Sequence, residues 1–356
     1  MTDQLVATAT VAPGGVSPAR RPGALATGLL VLGALVLLTA FLSVTQGSRS
    51  IGLTEVIDAL RHFTAVSTDV STDDTVTTQL RVPRTILGVL VGAALGVSGA
   101  VLQGLTRNAL ADPSIMGIEA GAALAVVVGI TVLGVTGIQL HVVLAFIGAL
   151  AATALVYAVG SLGRDGATPV KMALAGAAIT AGLMAVTTVL LLTDLQAQQE
   201  YRFWQVGSLA GRYAPIVTGV APVLVVGLVV GVLCGRPLNA LALGDDAARG
   251  LGVSLTRTRI GLFTVVAVLC GAATAACGPI VFVGLVVPHV ARAICGPDYR
   301  WILPYSLLLG PLLLLGADIL GRVMGGDGEL QVGVVLGMLG APFFILLVRY
   351  SRLAEL

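Results

Sequence analysis

Lysine occurs once in these 356 residues, at Lys171, and histidine only three times. Each scarcity closes off a class of chemistry. A phosphate-binding loop needs G-x-x-x-x-G-K-[ST], in which the lysine meets the phosphates. Lys171 stands in Thr168-Pro-Val-Lys-Met with no glycine-rich turn before it, so the chain brings no nucleotide-hydrolysing loop of its own. Three isolated histidines, with no nucleophile–base arrangement around them, leave little for acid–base catalysis. Cysteine is scarce too: Cys234, Cys270, Cys277 and Cys295 form no C-x-x-C pair and have no histidine at metal-ligand spacing. They read as apolar packing. Neither a metal nor a cofactor is expected, and the chain is not a self-contained enzyme.

Charge is the largest deficit. Asp, Glu, Lys and Arg make up 11% of the chain, against about a quarter in an ordinary soluble domain. Basic residues stand singly between apolar runs rather than in clusters, which argues against a nucleic-acid partner. Apolar runs fill the space, near 23–44, 85–105, 115–136, 140–160, 172–193, 214–234, 259–277, 280–295, 301–320 and 330–348. A helix that crosses the hydrocarbon takes about 20 residues, so only the run at 280–295 is clearly short. The chain reads as an all-α polytopic membrane protein with about ten spans, residues 23–348 forming the membrane domain.

Residues 1–22 are polar, rich in Gly, Pro and Ala, and end near Arg20-Arg21; no secretory signal is evident, and they read as a disordered cytoplasmic tail. With that tail inside, the inner connections and the tails carry about thirteen Lys or Arg and the outer ones about seven. This asymmetry supports an even number of spans with both termini inside, residues 349–356 being the second cytoplasmic tail. Along the second span Gly88, Gly92, Gly96, Ala100 and Gly104 recur every four residues. A stripe of small residues lets another helix approach closely, which marks this helix as central. In the first outer connection Leu53, Val56, Ile57 and Leu60 repeat at helical spacing after Thr54, predicting a short surface helix; Ser67 to Gln79 reads as a mobile stretch.

The loop Arg236-Pro-Leu-Asn-Ala-Leu-Ala-Leu-Gly-Asp-Asp-Ala-Ala-Arg-Gly-Leu-Gly-Val253 is too polar for membrane and too regular for a linker. Two short helices are expected there, broken at Gly244 and ended by Gly250 and Gly252, with Leu241, Leu243, Ala247, Ala248 and Leu251 on one apolar face. Near the outer start of the second span, Arg81 and Arg84 flank Pro83, a residue suited to a first helical turn. Anchoring at the lipid interface is one reading of that pair. Asp318 stands inside an apolar run, and pairing with Arg322 one turn on explains it without a proton relay.

Three further segments are distinctive. They are Gly99-x-x-x-Gln103-x-x-x-Arg107-Asn108-x-Leu110-Ala111-Asp112-Pro113, then Gly278-Pro-Ile-Val-Phe-Val-Gly-Leu-Val-Val-Pro-His-Val-Ala-Arg292, then Gly333-x-x-x-Gly337-x-x-Gly340-Ala-Pro-Phe-Phe. With the loop Arg236–Val253 and the arginines they resemble FecCD-type permeases across residues 80–348. These are membrane subunits of ATP-driven importers for iron–siderophore complexes, haem and vitamin B12. The usual Pro after Asn108 is Ala109 here. The resemblance implies two inverted five-helix halves, although no internal repeat is visible in the sequence.

It further implies a coupling loop at 236–258 seated on an ABC ATPase through Leu243, Gly244, Ala247, Ala248, Leu251 and Gly252. It implies docking of a soluble extracytoplasmic substrate-binding protein through Arg81, Arg84 and Arg322, whose rigid forks suit carboxylates. Gln103, Arg107, Asn108, Asp112, Pro113, Pro288, His289 and Arg292 match motif positions; for Pro288 and His289, gating and an ordinary helix-end role both stand open. A second permease subunit, identical or paralogous, would complete the path in a bacterial cytoplasmic membrane. Ferric siderophore is the expected cargo, with cobalamin or haem as alternatives. Gln199, Tyr201 and Trp204, after the fifth span, are candidate path residues, and an interfacial aromatic belt explains Tyr201 and Trp204 equally well. The competing class is an ion-gradient-driven carrier. It needs intramembrane carboxylates, and only Asp318 and Glu119 qualify, both near span ends.

Overall fold

The computed structural model describes residues 22–46, 76–135, 137–162, 168–325 and 328–350. The surface helix expected around Leu53–Leu60, residues 67–75 of the Ser67–Gln79 stretch and most of the two expected tails lie outside the described residues, whereas residues 76–79 are helical rather than irregular. Within them all regular structure is helical. In chain order the helices are α1 (Pro22–Thr45), α2 (Val82–Thr106), α3 (Ile118–Thr131), α4 (Ile138–Gly160), α5 (Pro169–Thr193), α6 (Leu195–Gln205), α7 (Ala214–Leu233), α8 (Gly235–Ala242), α9 (Asp245–Gly250), α10 (Leu255–Cys277), α11 (Val283–Cys295), α12 (Tyr299–Met324) and α13 (Val332–Tyr350). A π-turn over Val76–Arg81 leads into α2, and a 3-10 turn over Pro113–Met116 precedes α3.

Each of the ten apolar runs contains a helix. Seven of these helices, α1, α2, α4, α5, α7, α10 and α12, are long and apolar enough to cross a membrane. The other three, α3, α11 and Val332–Leu346 of α13, are apolar but shorter. The runs at 115–136 and 280–295 yield short helices because backbone breaks cut them. Gly117, left-handed at φ 73°, separates the 3-10 turn from α3, and Phe282 at φ 70° delays the start of α11. Large apolar side chains such as Leu30, Leu37, Leu174 and Leu192 stand exposed on α1 and α5. A coat of that kind is stable against hydrocarbon rather than water.

The centre is the antiparallel pair α2–α12. Lipid offers helices no hydrophobic drive to associate, so close backbone approach has to supply the contact energy. The glycine stripe of α2 provides it. Gly88 lies against Leu315, Gly92 against the Gly310–Pro311 backbone, Gly96 against the Ser306 carbonyl and Gly104 against the Tyr299 ring. A Cβ built on Gly92 would sit 2.7 Å from both the Gly310 oxygen and the Pro311 nitrogen. Each step of four along α2 moves back by about one helical turn along α12. Gly99 leaves that face and meets the backbone of Gly284, binding α11 to the same helix. Gly121 and Gly148 make a comparable mutual contact between α3 and α4.

Because a branched side chain at Gly92 must push backbone rather than a flexible side chain, Gly92→Leu should destabilise by at least the roughly 1–3 kcal/mol typical of overpacking. The expected result is a lowered melting temperature, or aggregation, in detergent micelles. Gly33→Leu on α1, where nothing lies within 4 Å of the added carbon, should melt like the native protein.

Candidate functional site at the two ends of the central helix pair

At one end of the pair, α8 and α9 form a helical elbow broken at Gly244, as the sequence predicts. Gly244 has φ 104° and ψ 156°, a region essentially reserved for glycine, and Gly252 follows α9 at φ 80°. The expected single apolar face is divided in two. Leu238, Leu241 and Ala248 are buried in the protein, whereas Leu243, Ala247 and Leu251 are exposed. The correction has a physical reason: a two-turn helix has no stability alone, so part of its apolar surface must be used to seat it.

Polar contacts fix the elbow in place. Arg107 ends α2 in the left-handed region, at φ 50°, which turns its side chain back toward the elbow. Its Nε donates to the Leu241 carbonyl at 2.8 Å, and a terminal nitrogen meets Asp245 Oδ1 at 2.6 Å. Arg259, in the first turns of α10, grips the other oxygen of Asp245 at 2.8 Å. On α8, Asn239 donates to Asp298 Oδ1 at 2.6 Å and accepts the Tyr299 N–H at 2.9 Å, joining the elbow to the start of α12. Burial pushes the Asp245 carboxyl up, but the hydrogen bond from Arg107 and the charges of Arg259 and Arg107 outweigh it and hold it below the ordinary aspartate value. Asp298 is held low in the same way: burial is outweighed by hydrogen bonds from Arg300 and Asn239.

The motif residues assemble just inside this elbow. Gln103 donates to the carbonyls of Gly284 and Leu285 at 3.4 and 3.3 Å and accepts from Arg292 at 3.3 Å, while Arg292 also reaches the Tyr299 hydroxyl. Asn108 accepts the Leu110 N–H, Asp112 caps the 3-10 turn through the Ser114 N–H, and Pro113 packs on Gly284. Pro288 is buried within α11, and His289 is half-buried beside it. The third motif joins further along, where Gly340 meets the Phe282 ring and Gly333 the Val206 carbonyl. Segments far apart in sequence thus form one packed unit. All four cysteines are free, with three buried and Cys234 half-buried.

The opposite end of the pair carries the arginines. Arg84 lays its fork on Asp318, with Nε 3.1 Å from Oδ2 and a terminal nitrogen 2.8 Å from Oδ1, and its other terminal nitrogen meets Glu329 at 2.7 Å. Arg322 reaches the same carboxylate at 3.0 Å, the pairing expected from sequence. It also donates to the Ser43 and Gln46 carbonyls and to Ser43 Oγ, which contacts the Thr85 hydroxyl at 2.8 Å. Arg81 donates to the carbonyls of Val44 and Thr45, both at 2.9 Å. The three arginines therefore gather around Asp318 and the last carbonyls of α1. Asp318 and Arg322 are buried; Arg84 is 12% and Glu329 30% exposed.

On α6, Gln199 is exposed, Tyr201 is buried and Trp204 is half-buried; the two rings stack with centroids 6.0 Å apart. Sequence reasoning passed over Asp245, Arg259, Asn239 and Glu329. An acid directly after a helix-breaking glycine, followed by an arginine in the next helix, was a usable signal for the first two. Asn239 and Glu329 left no comparable trace.

Comparisons with known proteins identify the family. The model of the FecCD transport family matches residues 35–350. The ferric enterobactin transport system permease protein FepD of Escherichia coli (strain K12) is 44% identical over 323 residues, covering 90% of this chain and 94% of that protein. The Fe(3+)-citrate import system permease protein YfmD of Bacillus subtilis (strain 168) is 38% identical, covering 85% of this chain and 90% of its own. A solved ABC transporter described as of metal-chelate type, in an inward-facing conformation, superposes with a TM-score of 0.79 at 25% identity, over 92% of this chain and 100% of that one.

Two outcomes follow from the charges. Asp318→Ala leaves the buried Arg322 guanidinium without its carboxylate, and Arg84 with Glu329 alone, and should cost about 3–5 kcal/mol, read as a loss of melting temperature in micelles. A depressed carboxyl contributes stability that is present above about pH 4 and lost as pH falls through its own folded value. For Asp245 the readout is the protonation itself: its midpoint, followed by the carboxyl carbon-13 shift, should lie below the ordinary aspartate value.

Proposed function

The chain belongs to the FecCD transport family and is a multi-pass membrane permease of the ABC-importer class, and we propose that it carries a ferric siderophore inward across the cytoplasmic membrane by ATP-driven alternating access. The observation that carries the mechanism is the exposed apolar trio Leu243, Ala247 and Leu251 on an otherwise anchored elbow. An apolar patch on a well-seated element fits a protein partner. That partner is an ABC ATPase, since this chain has no phosphate-binding loop. Leu243, Gly244, Ala247, Leu251 and Gly252 shape the contact, and buried Ala248 seats it. The elbow end and both termini face the cytoplasm.

The arginine end then faces outward, toward an extracytoplasmic substrate-binding protein. Among Arg81, Arg84 and Arg322, Arg84 is the one most open to an incoming carboxylate, which would replace Glu329. Arg81 and Arg322 contribute by holding the end of α1 and shaping that surface. A ferric chelate is too large for a pore through one helix bundle, so the path runs between two permease subunits, identical or paralogous. Gln199 lines it, with Tyr201 and Trp204 behind. The cargo class draws support from relatives named for ferric enterobactin and Fe(3+)-citrate; cobalamin and haem are the alternative cargoes.

The test replaces Gly244 with Val and Ala247 with Trp and follows ATPase co-purification together with uptake of radio-iron-loaded siderophore, beside labelled cobalamin. ATPase retention and iron uptake should both fall by at least about ten-fold, equivalent to roughly 1.4 kcal/mol of lost association. Normal retention of the ATPase would remove the elbow as the coupling contact. Cobalamin uptake that depends on the gene while iron uptake does not would reassign the cargo alone.

A further inference from the structure

Three attachments hold the elbow, and they differ in kind. The chain itself continues from α7 into α8 and from α9 into α10. Leu238, Leu241 and Ala248 bury it against the bundle. The third is polar and has two parts: Asn239 on α8 bonds Asp298 and Tyr299 at the start of α12, and Asp245, the first residue of α9, takes Arg107 on one carboxylate oxygen and Arg259 on the other, at 2.6 and 2.8 Å. Arg107, the residue that caps the end of α2, holds two points of the elbow at once, the Leu241 carbonyl before the Gly244 break and Asp245 after it. A fork that spans a hinge in this way transmits displacement of either arm.

We propose that Asp245, gripped between Arg107 and Arg259, is the positioning residue that ties movement of the elbow to the central pair α2–α12. The inference rests on the ATPase-coupled reading above and adds to it the point at which force passes from the elbow into the membrane. α2 and α12 move together because their backbones touch along the glycine stripe, and the far end of α2 bears Arg84 on Asp318. Displacement of the elbow through Asp245 therefore reaches the opposite membrane face through one rigid body. These contacts are poor candidates for a purely structural role. The side chains of Arg107, Asp245 and Arg259 are 34%, 32% and 20% exposed, and ion pairs that solvent reaches contribute little to stability.

The experiment uses the whole importer, with permease, ATPase and binding protein reconstituted in liposomes. It compares Asp245→Asn, Asp245→Glu and Arg107→Lys. Lysine keeps the charge but lacks the fork that reaches both arms of the elbow. Asp245→Asn and Arg107→Lys should retain the ATPase and its hydrolysis of ATP, because Leu243, Ala247 and Leu251 are untouched. Cargo moved per ATP should fall by about ten-fold or more, and Asp245→Glu should recover most of it. Unchanged cargo per ATP in both variants would overturn the proposal. Loss of ATPase retention in both would overturn it as well, since Asp245 would then only shape the docking surface. If Asp245→Asn does not assemble, Arg107→Lys decides alone. Failure of the parent reading is separate: the Gly244→Val, Ala247→Trp protein would then keep its ATPase.

Discussion

Backbone contact between α2 and α12 is the constraint on which the other features depend. In hydrocarbon the two helices gain nothing from hiding apolar side chains from each other, because lipid serves as well. What remains is dispersion between closely packed atoms, weak singly and large in sum, and it needs the side chains out of the way. Gly88, Gly92, Gly96 and Gly104 remove them over four helical turns against Leu315, Gly310, Ser306 and Tyr299. The antiparallel register that results also decides which polar groups meet at each end. One step beyond Gly88 it brings Arg84 to Asp318, and one step beyond Gly104 it brings the end of α2 to the elbow.

At each of those two ends one acid is shared by two arginines. A carboxylate as buried as Asp318 is costly unless paired, and here two arginines from different helices share it. Sharing matters more than the bond count. Arg84 comes from α2 and Arg322 from α12, while Arg322 also holds carbonyls at the end of α1, so one acid fastens three helices. The elbow repeats the device with a wetter carboxylate: Asp245 joins α9 to α2 and α10 through two arginines. A firm buried knot at one end and a solvent-reached one at the other suit a molecule in which one end must stay assembled while the other is moved by a partner. That division of labour is part of the proposed mechanism.

The three motif segments have a common physical explanation. Gly99 and Pro113 from the first segment close on Gly284 from the second, Gln103 bonds the carbonyls beside it, and Gly340 from the third meets Phe282. Residue types at these positions are restricted because backbone meets backbone or ring there. Arg107 stands apart, since its contacts run outward to the elbow rather than into this packing.

Much of this was legible without a fold. Apolar run length fixed the ten helices, the four-residue spacing of glycines marked α2 as central, and Gly244 announced the break in the elbow; all three are local properties that neighbouring residues determine. The expectation of one apolar face on the elbow failed for the opposite reason. Which of Leu241, Leu243, Ala247, Ala248 and Leu251 turn inward depends on what the bundle offers them, and periodicity alone carries no record of that surface. The same holds for the pairing of Arg84 with Asp318, 234 positions apart, and of Arg107 with Asp245, 138 apart. The sequence by itself determined where helices begin, end and carry small residues, because those follow from backbone preferences within a turn or two. Tertiary structure alone decided which charges meet, because that is set by how two distant helices slide into register.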